Sequence, residues 1–245
     1  QDDSVISERE ERLYNKWNEI FKIKIKSQYG YIYNDIKIKK LAQENARYLV
    51  TVFMPTQMIY TTSLRQINYI AGWMKKYINH ADIKNSFEKK LTDFMKEFIE
   101  SLQAVNVLDD GLMKNEKYRK LSLFGKNLES KEEYFGDVYI TLYKGTFAEL
   151  AQAHRHRTLD YQLEMQNQKE YYIPPIIADD NNLVKEWLND IQSVKDVTPQ
   201  GEIILISESG KYEDFILKCK ERLCSEAQLE ITQQTKETLL KYKQA

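Results

Sequence analysis

The apolar positions along the first 106 residues are spaced mainly as in helices. They predict helices over 4–27, 35–50 and 82–106, each with apolar residues every three or four positions. Residues 52–62 are β-branched and aromatic without a helical period, which predicts an extended segment. Ser63 then opens a capping-box pattern, so a further helix is expected to begin there.

The rest of the chain combines strand and helix patterns. Residues 107–135 are polar and indicate a connection, whereas 136–143 alternate with period two and predict a half-buried strand. Thr146 and Glu149 form a second capping-box pattern, which predicts a helix carrying the sequence FAELAQAHRHR. The remaining predictions are a helix over 181–197, a buried strand over 201–207, a helix over 210–224, and a last helix opened by Ser225 and Gln228.

These elements predict an α+β fold, with helices packed on an antiparallel sheet beside a helical subdomain. The order helix, extended segment, helix, long helix occurs at 35–106 and again at 181–243. An offset of 148 positions carries Arg47 to Lys195 and Ser63 to Lys211. We therefore predict two degenerate repeats, the C-terminal half of a first copy at 1–106 and a second copy at 107–245, with the chain beginning inside the first copy.

The composition of the chain argues against several classes of function. The 36 basic and 37 acidic residues leave a formal net charge of −1, which argues against a general nucleic-acid or membrane surface. Cys219 and Cys224 lack metal-ligand spacing and indicate packed cytoplasmic thiols, and no metal is expected. The eight glycines form no dinucleotide-binding loop, so any dinucleotide must occupy a cleft built from side chains.

Positive charge is concentrated at one turn. Arg155, His156 and Arg157 are consecutive, and His154 precedes them, so this turn holds two of the three histidines in the chain. Gln152 and Arg155 are three positions apart and should share a helix face. Such a cluster suits a small anion such as a nucleotide phosphate, because the planar guanidinium group binds phosphate in a bidentate manner. A solvated helix end that complements the helix dipole is the alternative.

The segment RHRTLDYQLEMQN, with Gln152 three residues before its first arginine, resembles a motif of the flavin-dependent thymidylate synthases, RHRxxSxNxxSxRY. The later ERLCSEAQLEI is similar to that family's Leu-Arg-x-x-x-x-Ala-Gln-x-Glu-Ile helix. In the first copy, ENARYLV and MIYTTSLRQINYI resemble the family's Ala-Arg-x-x-Leu-Pro segment and its Asn-Ala-Arg-Ser helix start. The resemblance covers most of the chain, and several motifs occur in the family's order.

The resemblance implies reductive methylation of dUMP to dTMP, with methylenetetrahydrofolate as carbon donor and NADPH as reductant through bound FAD. It implies a cytoplasmic homo-oligomer of a duplicated chain that binds small molecules and neither nucleic acid nor membrane. The residues carried over are Arg222 as the group that polarises the uracil ring; Gln152, Arg155 and Arg47 for the nucleotide; and His156, Arg157, Thr158, Ser63 and Arg65 for FAD.

The second copy departs from the family at the positions expected to clamp the nucleotide. The motif's serines, asparagine and last arginine are replaced by Asp160, Met165, Gln162 and Asn167. Lys195 and Glu213 also replace arginines that the first copy retains as Arg47 and Arg65. Because the two copies have lost different members of the family's set of site residues, we expect one composite site in which Gln152, Arg155 and Arg222 face Arg47.

Two other functions remain open. The altered clamp leaves room for a flavoenzyme that transfers hydroxymethyl to a pyrimidine nucleotide, which product mass spectrometry would detect. A non-catalytic nucleotide-binding subunit would bind no flavin. At single residues, a surface salt bridge is the alternative for Arg222, and a backbone hydrogen bond in a partly buried position is the alternative for His156.

Overall fold

The computed structural model describes residues 7–81, 83–114, 123–224 and 226–245. These residues divide into two compact units, which we describe separately. The larger unit takes in 7–54, 123–195 and 199–245, and the smaller takes in 55–114 and 196–198, with the same gaps. This division by packing follows different boundaries from the predicted repeats at 1–106 and 107–245.

The larger unit contains a sheet with helices, and the smaller is built from helices, so the predicted α+β class is confirmed. None of the helices in the described ranges has the length and apolar character needed to cross a membrane. The larger unit has α1 (Glu8–Tyr29), α2 (Asp35–Ala46), β1 (Tyr134–Phe135), β2 (Val138–Thr146), α6 (Phe147–Ala153), β3 (Asp160–Met165), α7 (Asn181–Ser193), β4 (Ile203–Lys211), α8 (Tyr212–Arg222) and α9 (Leu229–Gln244); the smaller has α3 (Leu64–His80), α4 (Ser86–Ala104) and α5 (Asp110–Met113).

The sheet has the order β1-β2-β4-β3, with every neighbouring pair antiparallel. β4 lies between β2 and β3, and its apolar run from Ile204 to Ile206 is buried, as expected for a strand covered on both faces. Alternation correctly placed β2 but did not say which face is inside. The tyrosine and threonine side of β2 is the buried side, with Tyr139 and Thr141 nearly inaccessible, whereas Val138 is exposed.

Helix starts follow local hydrogen bonding where a cap is present. The Ser63 side chain accepts from the Gln66 backbone N–H at 3.1 Å, so the predicted start of α3 is confirmed. The predicted last helix is wrong at its start, because α9 begins at Leu229 with Gln228 as its N-cap residue and no side-chain cap. Ser225 itself lies outside the described residues.

Other predicted boundaries need smaller corrections. The helix expected over 35–50 ends at Ala46, and a 3₁₀ turn follows over Arg47–Leu49. Residues 55–62, inside the predicted extended segment, join no strand of the sheet. Of the two thiols expected to be packed, Cys219 is buried and Cys224 is exposed.

The offset of 148 positions recurs in the structure. A 3₁₀ turn begins at Arg47 and another at Lys195, and Ser63 and Lys211 are the N-cap residues of α3 and α8. Thr51 forms an isolated antiparallel bridge with Pro199, its own counterpart at that offset. Contact between equivalent positions is what a two-fold axis between two copies produces.

Candidate functional site

The candidate site lies around the C-terminal end of α6. Thr146 caps this helix by accepting from the Glu149 N–H at 3.1 Å, as the capping-box pattern predicts. The second half of the box is absent, because the Thr146 N–H donates to Glu230 of α9 instead. The helix ends at Ala153, so Arg155 follows the helix and does not share a helix face with Gln152 as predicted.

The basic residues occupy the turn after α6. Arg155, Arg157 and Thr158 are exposed, whereas His156 is only 7% exposed. Within the described ranges, no acidic side chain pairs with Arg155 or Arg157. Two guanidinium groups at one exposed turn are therefore available to an anion.

His156 and Arg222 are in direct contact. The Arg222 Nε donates to His156 Nε2 at 2.8 Å, and its Nη2 donates to the Gln152 carbonyl oxygen at 3.3 Å. Because the guanidinium group can only donate, His156 Nε2 must accept, and the ring hydrogen is on Nδ1, which lies 3.7 Å from a Glu221 carboxylate oxygen. Burial, and then the charge of Arg222, lower the pKa of His156, so the ring is neutral at neutral pH.

This contact differs from both alternatives considered for these residues, a surface salt bridge for Arg222 and a hydrogen bond to backbone for the His156 side chain. Arg222 is half-buried against His156 and makes no surface salt bridge with a described residue. The His156 side chain accepts from Arg222, whereas its backbone N–H donates to Ala153 at 3.0 Å. Arg222 therefore covers a carbonyl oxygen at the end of α6, a position where a cation is favoured.

Gln152 begins a chain of polar side chains that runs into the core. Its Nε2 donates to Gln228 Oε1, and Gln228 Nε2 donates to the Tyr48 hydroxyl. Tyr48 in turn donates to Glu230 Oε2 at 2.8 Å. This series of hydrogen bonds joins Gln152, in the predicted second copy, to Tyr48, which is adjacent to Arg47 in the predicted first copy.

Arg47 is held beside this chain. Its Nε and Nη2 donate to Gln200 Oε1 at 3.2 and 3.1 Å, and Gln200 donates to the Thr51 carbonyl oxygen at 3.2 Å. The pKa of Glu230 is raised by burial, and the Arg47 charge is among the influences that oppose this rise. Arg47 is therefore electrostatically coupled to the Glu230 end of the chain.

The remaining predicted residues divide between the two units. Ser63 and Arg65 belong to the smaller unit, where Ser63 caps α3 and Arg65 is exposed. The altered clamp positions Asp160 and Met165 are the first and last residues of β3, a strand that the sequence patterns did not predict.

Sequence reasoning missed Tyr48, Gln228 and Glu230. Gln228 and Glu230 fall within the quoted segment AQLEI, so a signal for them was present. Tyr48 follows Arg47 and has no pattern of its own. A second buried group, missed entirely, joins Lys218 to Glu208 at 2.6 Å and to Gln234 at 2.8 Å.

The arrangement combines two guanidinium groups that have no acidic partner in the described part of the chain, a neutral histidine that accepts from a third guanidinium group, and a glutamine amide that donates to Gln228. Such a donor set suits the phosphates and polar ring edge of a nucleotide. Among the described residues, no group of three or more His, Cys, Asp or Glu is placed to hold a metal ion. No protein-family model matches the chain, and a search of curated proteins found no significant match.

Proposed function

We propose that the chain is a flavin-dependent thymidylate synthase-like enzyme that binds a pyrimidine nucleotide and FAD around the turn that follows α6. The observation that carries the proposal is the contact between Gln152, His156 and Arg222, three residues from two separate motifs of the resemblance. Gln152 and Arg222, 70 positions apart in sequence, meet at one carbonyl oxygen, and the same turn carries two arginines that have no acidic partner among the described residues.

The donor set fits FAD at its phosphates. Arg157, carried over for FAD, is exposed and has no acidic partner in the described ranges, so a pyrophosphate can bind without displacing an ion pair. Arg155, carried over for the nucleotide phosphate, is also exposed and has no acidic partner in the same ranges. When bound, FAD would carry reducing equivalents from NADPH for the conversion of dUMP to dTMP with methylenetetrahydrofolate. Arg222 would stabilise negative charge that develops on the uracil ring, and its contact with neutral His156 holds it in place.

The two halves of the chain contribute to the same region. Arg47 and Tyr48 come from the first half, and the polar chain connects Tyr48 with Gln152 from the second half. The bridge between Thr51 and Pro199 supports a duplicated origin. We place this enzyme in the cytoplasm as a homo-oligomer, with free thiols at Cys219 and Cys224.

Titration of the purified protein with FAD, followed by flavin absorbance and fluorescence, tests this function. Wild type should bind FAD, and Arg157→Ala should bind it at least about tenfold more weakly, because a charge-assisted phosphate contact contributes about 1.5–3 kcal/mol. Arg12→Ala removes an arginine of α1 that is also exposed and should leave the affinity unchanged. A wild-type protein that takes up no flavin would instead favour the non-catalytic nucleotide-binding subunit.

A further inference from the structure

Residues 55–62 of the smaller unit have the sequence of a strand but no strand beside them. Their β-branched and aromatic composition predicts an extended segment, and the structure forms neither helix nor turn there. None of their backbone N–H or C=O groups bonds to another described residue. A row of unpaired backbone groups is a template on which a further strand can pair.

The offset of 148 positions gives this segment a counterpart. It carries 55–63 onto Ile203–Lys211, which is β4. In the larger unit, β4 pairs with β2 on one side and with β3 on the other. The segment at 55–62 therefore corresponds to a central strand, and both neighbours of that strand are missing from the described part of the smaller unit.

The side chains of the segment are apolar and open to solvent. The exposed fraction is 80% for Met58 and 99% for Ile59, and Tyr60 is also exposed. Apolar side chains clustered in this way mark a surface that another molecule covers. Residues 48–64 contain no charged side chain, although 30% of the whole chain is charged. Across a two-fold axis every charge would lie near its own like charge, so an uncharged segment is suited to pairing with itself.

The sheet of the larger unit offers a second copy little else to pair with. β1 is only two residues long, and the outer edge of β3 is bonded at Leu163 to residues 123 and 125. The outer edge of β2 is bonded to β1 and to the side chains of Glu133 and Glu230. Within the described ranges, the long unpaired segment that a second copy presents is therefore the same one, 55–62.

We propose that residues 55–62 of two copies pair as antiparallel strands across a two-fold axis, so that this segment forms an interface between two copies of the chain. A two-stranded ladder of this length is only marginally stable, so the association should be weak and should depend on concentration. The inference does not rest on the proposed function, because it uses none of the residues carried over for the nucleotide or for FAD.

Sedimentation velocity over a series of protein concentrations tests the pairing. Wild type should change from monomer to dimer as the concentration rises. Ile59 lies near the middle of the segment and is fully exposed, so a charge there should leave the monomer folded. Ile59→Lys and Ile59→Glu should each raise the Kd of the dimer at least about tenfold, because like charges then face each other and apolar contact is lost. An equimolar mixture of the two variants should form a dimer with a Kd within about threefold of wild type, since opposite charges then meet.

Tyr31→Lys is the matched control, because Tyr31 is 83% exposed in the turn between α1 and α2, outside the segment. Its Kd should equal that of wild type. A wild-type protein that stays monomeric overturns the pairing and leaves the segment to a different polypeptide. A dimer that Ile59→Lys does not weaken, or a mixture of the Lys and Glu variants that does not recover, also overturns it. None of these outcomes changes the FAD titration, so the two proposals fail separately.

Discussion

Glu149 is nearly inaccessible in the larger unit, although its residue type is normally charged and solvated. Neither carboxyl oxygen has a hydrogen-bond partner of good geometry among the described residues, although the Tyr143 hydroxyl is among the groups that lower the pKa. Burial raises the pKa of Glu149 well above 4.5, and the opposing Lys218 charge does not cancel that effect. The folded protein therefore keeps a proton that the unfolded chain releases above its ordinary pKa.

This proton gives a pH dependence of known sign. The folded state binds more protons than the unfolded state once the pH exceeds 4.5, so the contribution of Glu149 to stability falls as the pH rises toward its folded pKa. Glu149→Gln substitutes a neutral side chain of the same shape and should remove this loss. In thermal melts, the Tm of the variant relative to wild type should be higher at about pH 8 than at about pH 5, where the difference should be much smaller. The same difference at both pH values would contradict a protonated Glu149.

At the scale of elements, a buried ion pair joins β4 to two helices. Lys218 of α8 and Glu208 of β4 have fully buried side chains 2.6 Å apart, and Lys218 also donates to Gln234 of α9. The Tyr139 hydroxyl of β2 donates to the other Glu208 oxygen at 2.6 Å. Three neighbouring elements are therefore tied to one strand by groups whose loss would leave a charge buried and unpaired.

Lys218→Met should lower the free energy of unfolding by about 3–5 kcal/mol, because Glu208 loses its only cationic partner in the described part of the chain. Lys220→Met, on the same helix and exposed, should change it by less than about 0.5 kcal/mol. Urea denaturation of both variants measures the difference. Equal stabilities for the two would show that the buried pair is not structurally important.

Local patterns predicted the elements that depend on neighbours in sequence. The caps at Ser63 and Thr146 involve residues three positions away, and the apolar composition of β4 indicates a buried strand. What they missed depends on distant partners. β3 is a strand because it pairs with β4. The Thr146 N–H donates to Glu230, 84 positions away, and not to Glu149 as the capping-box pattern predicts.

The site was predictable only in part for the same reason. The resemblance named Gln152, His156 and Arg222, and the structure brings these three into contact. Tyr48 became visible only through its hydrogen bonds, since one tyrosine among 17 has no distinguishing pattern. For Ser63 and Arg65, the FAD role remains a prediction.

For the whole molecule, the proposed duplication would account for the common offset but not for every element. The offset relates Arg47 to Lys195, Thr51 to Pro199 and Ser63 to Lys211. At the same offset, α1 falls on 156–177, which contains β3 and no matching helix. The correspondence is therefore strongest across residues 47–63. This stretch includes the bridge where the halves meet and begins at Arg47.

A double-mutant cycle on dUMP binding tests most directly whether both halves of the chain build one nucleotide site. Arg47→Ala and Arg155→Ala should each weaken binding by about 1.5–3 kcal/mol, as expected for a lost hydrogen bond to a charged group. Thermal melts of each variant check that the fold is intact. If both arginines serve one ligand, the double variant should lose clearly less than the sum of the single losses. Losses that add to within about 0.5 kcal/mol would contradict a shared site.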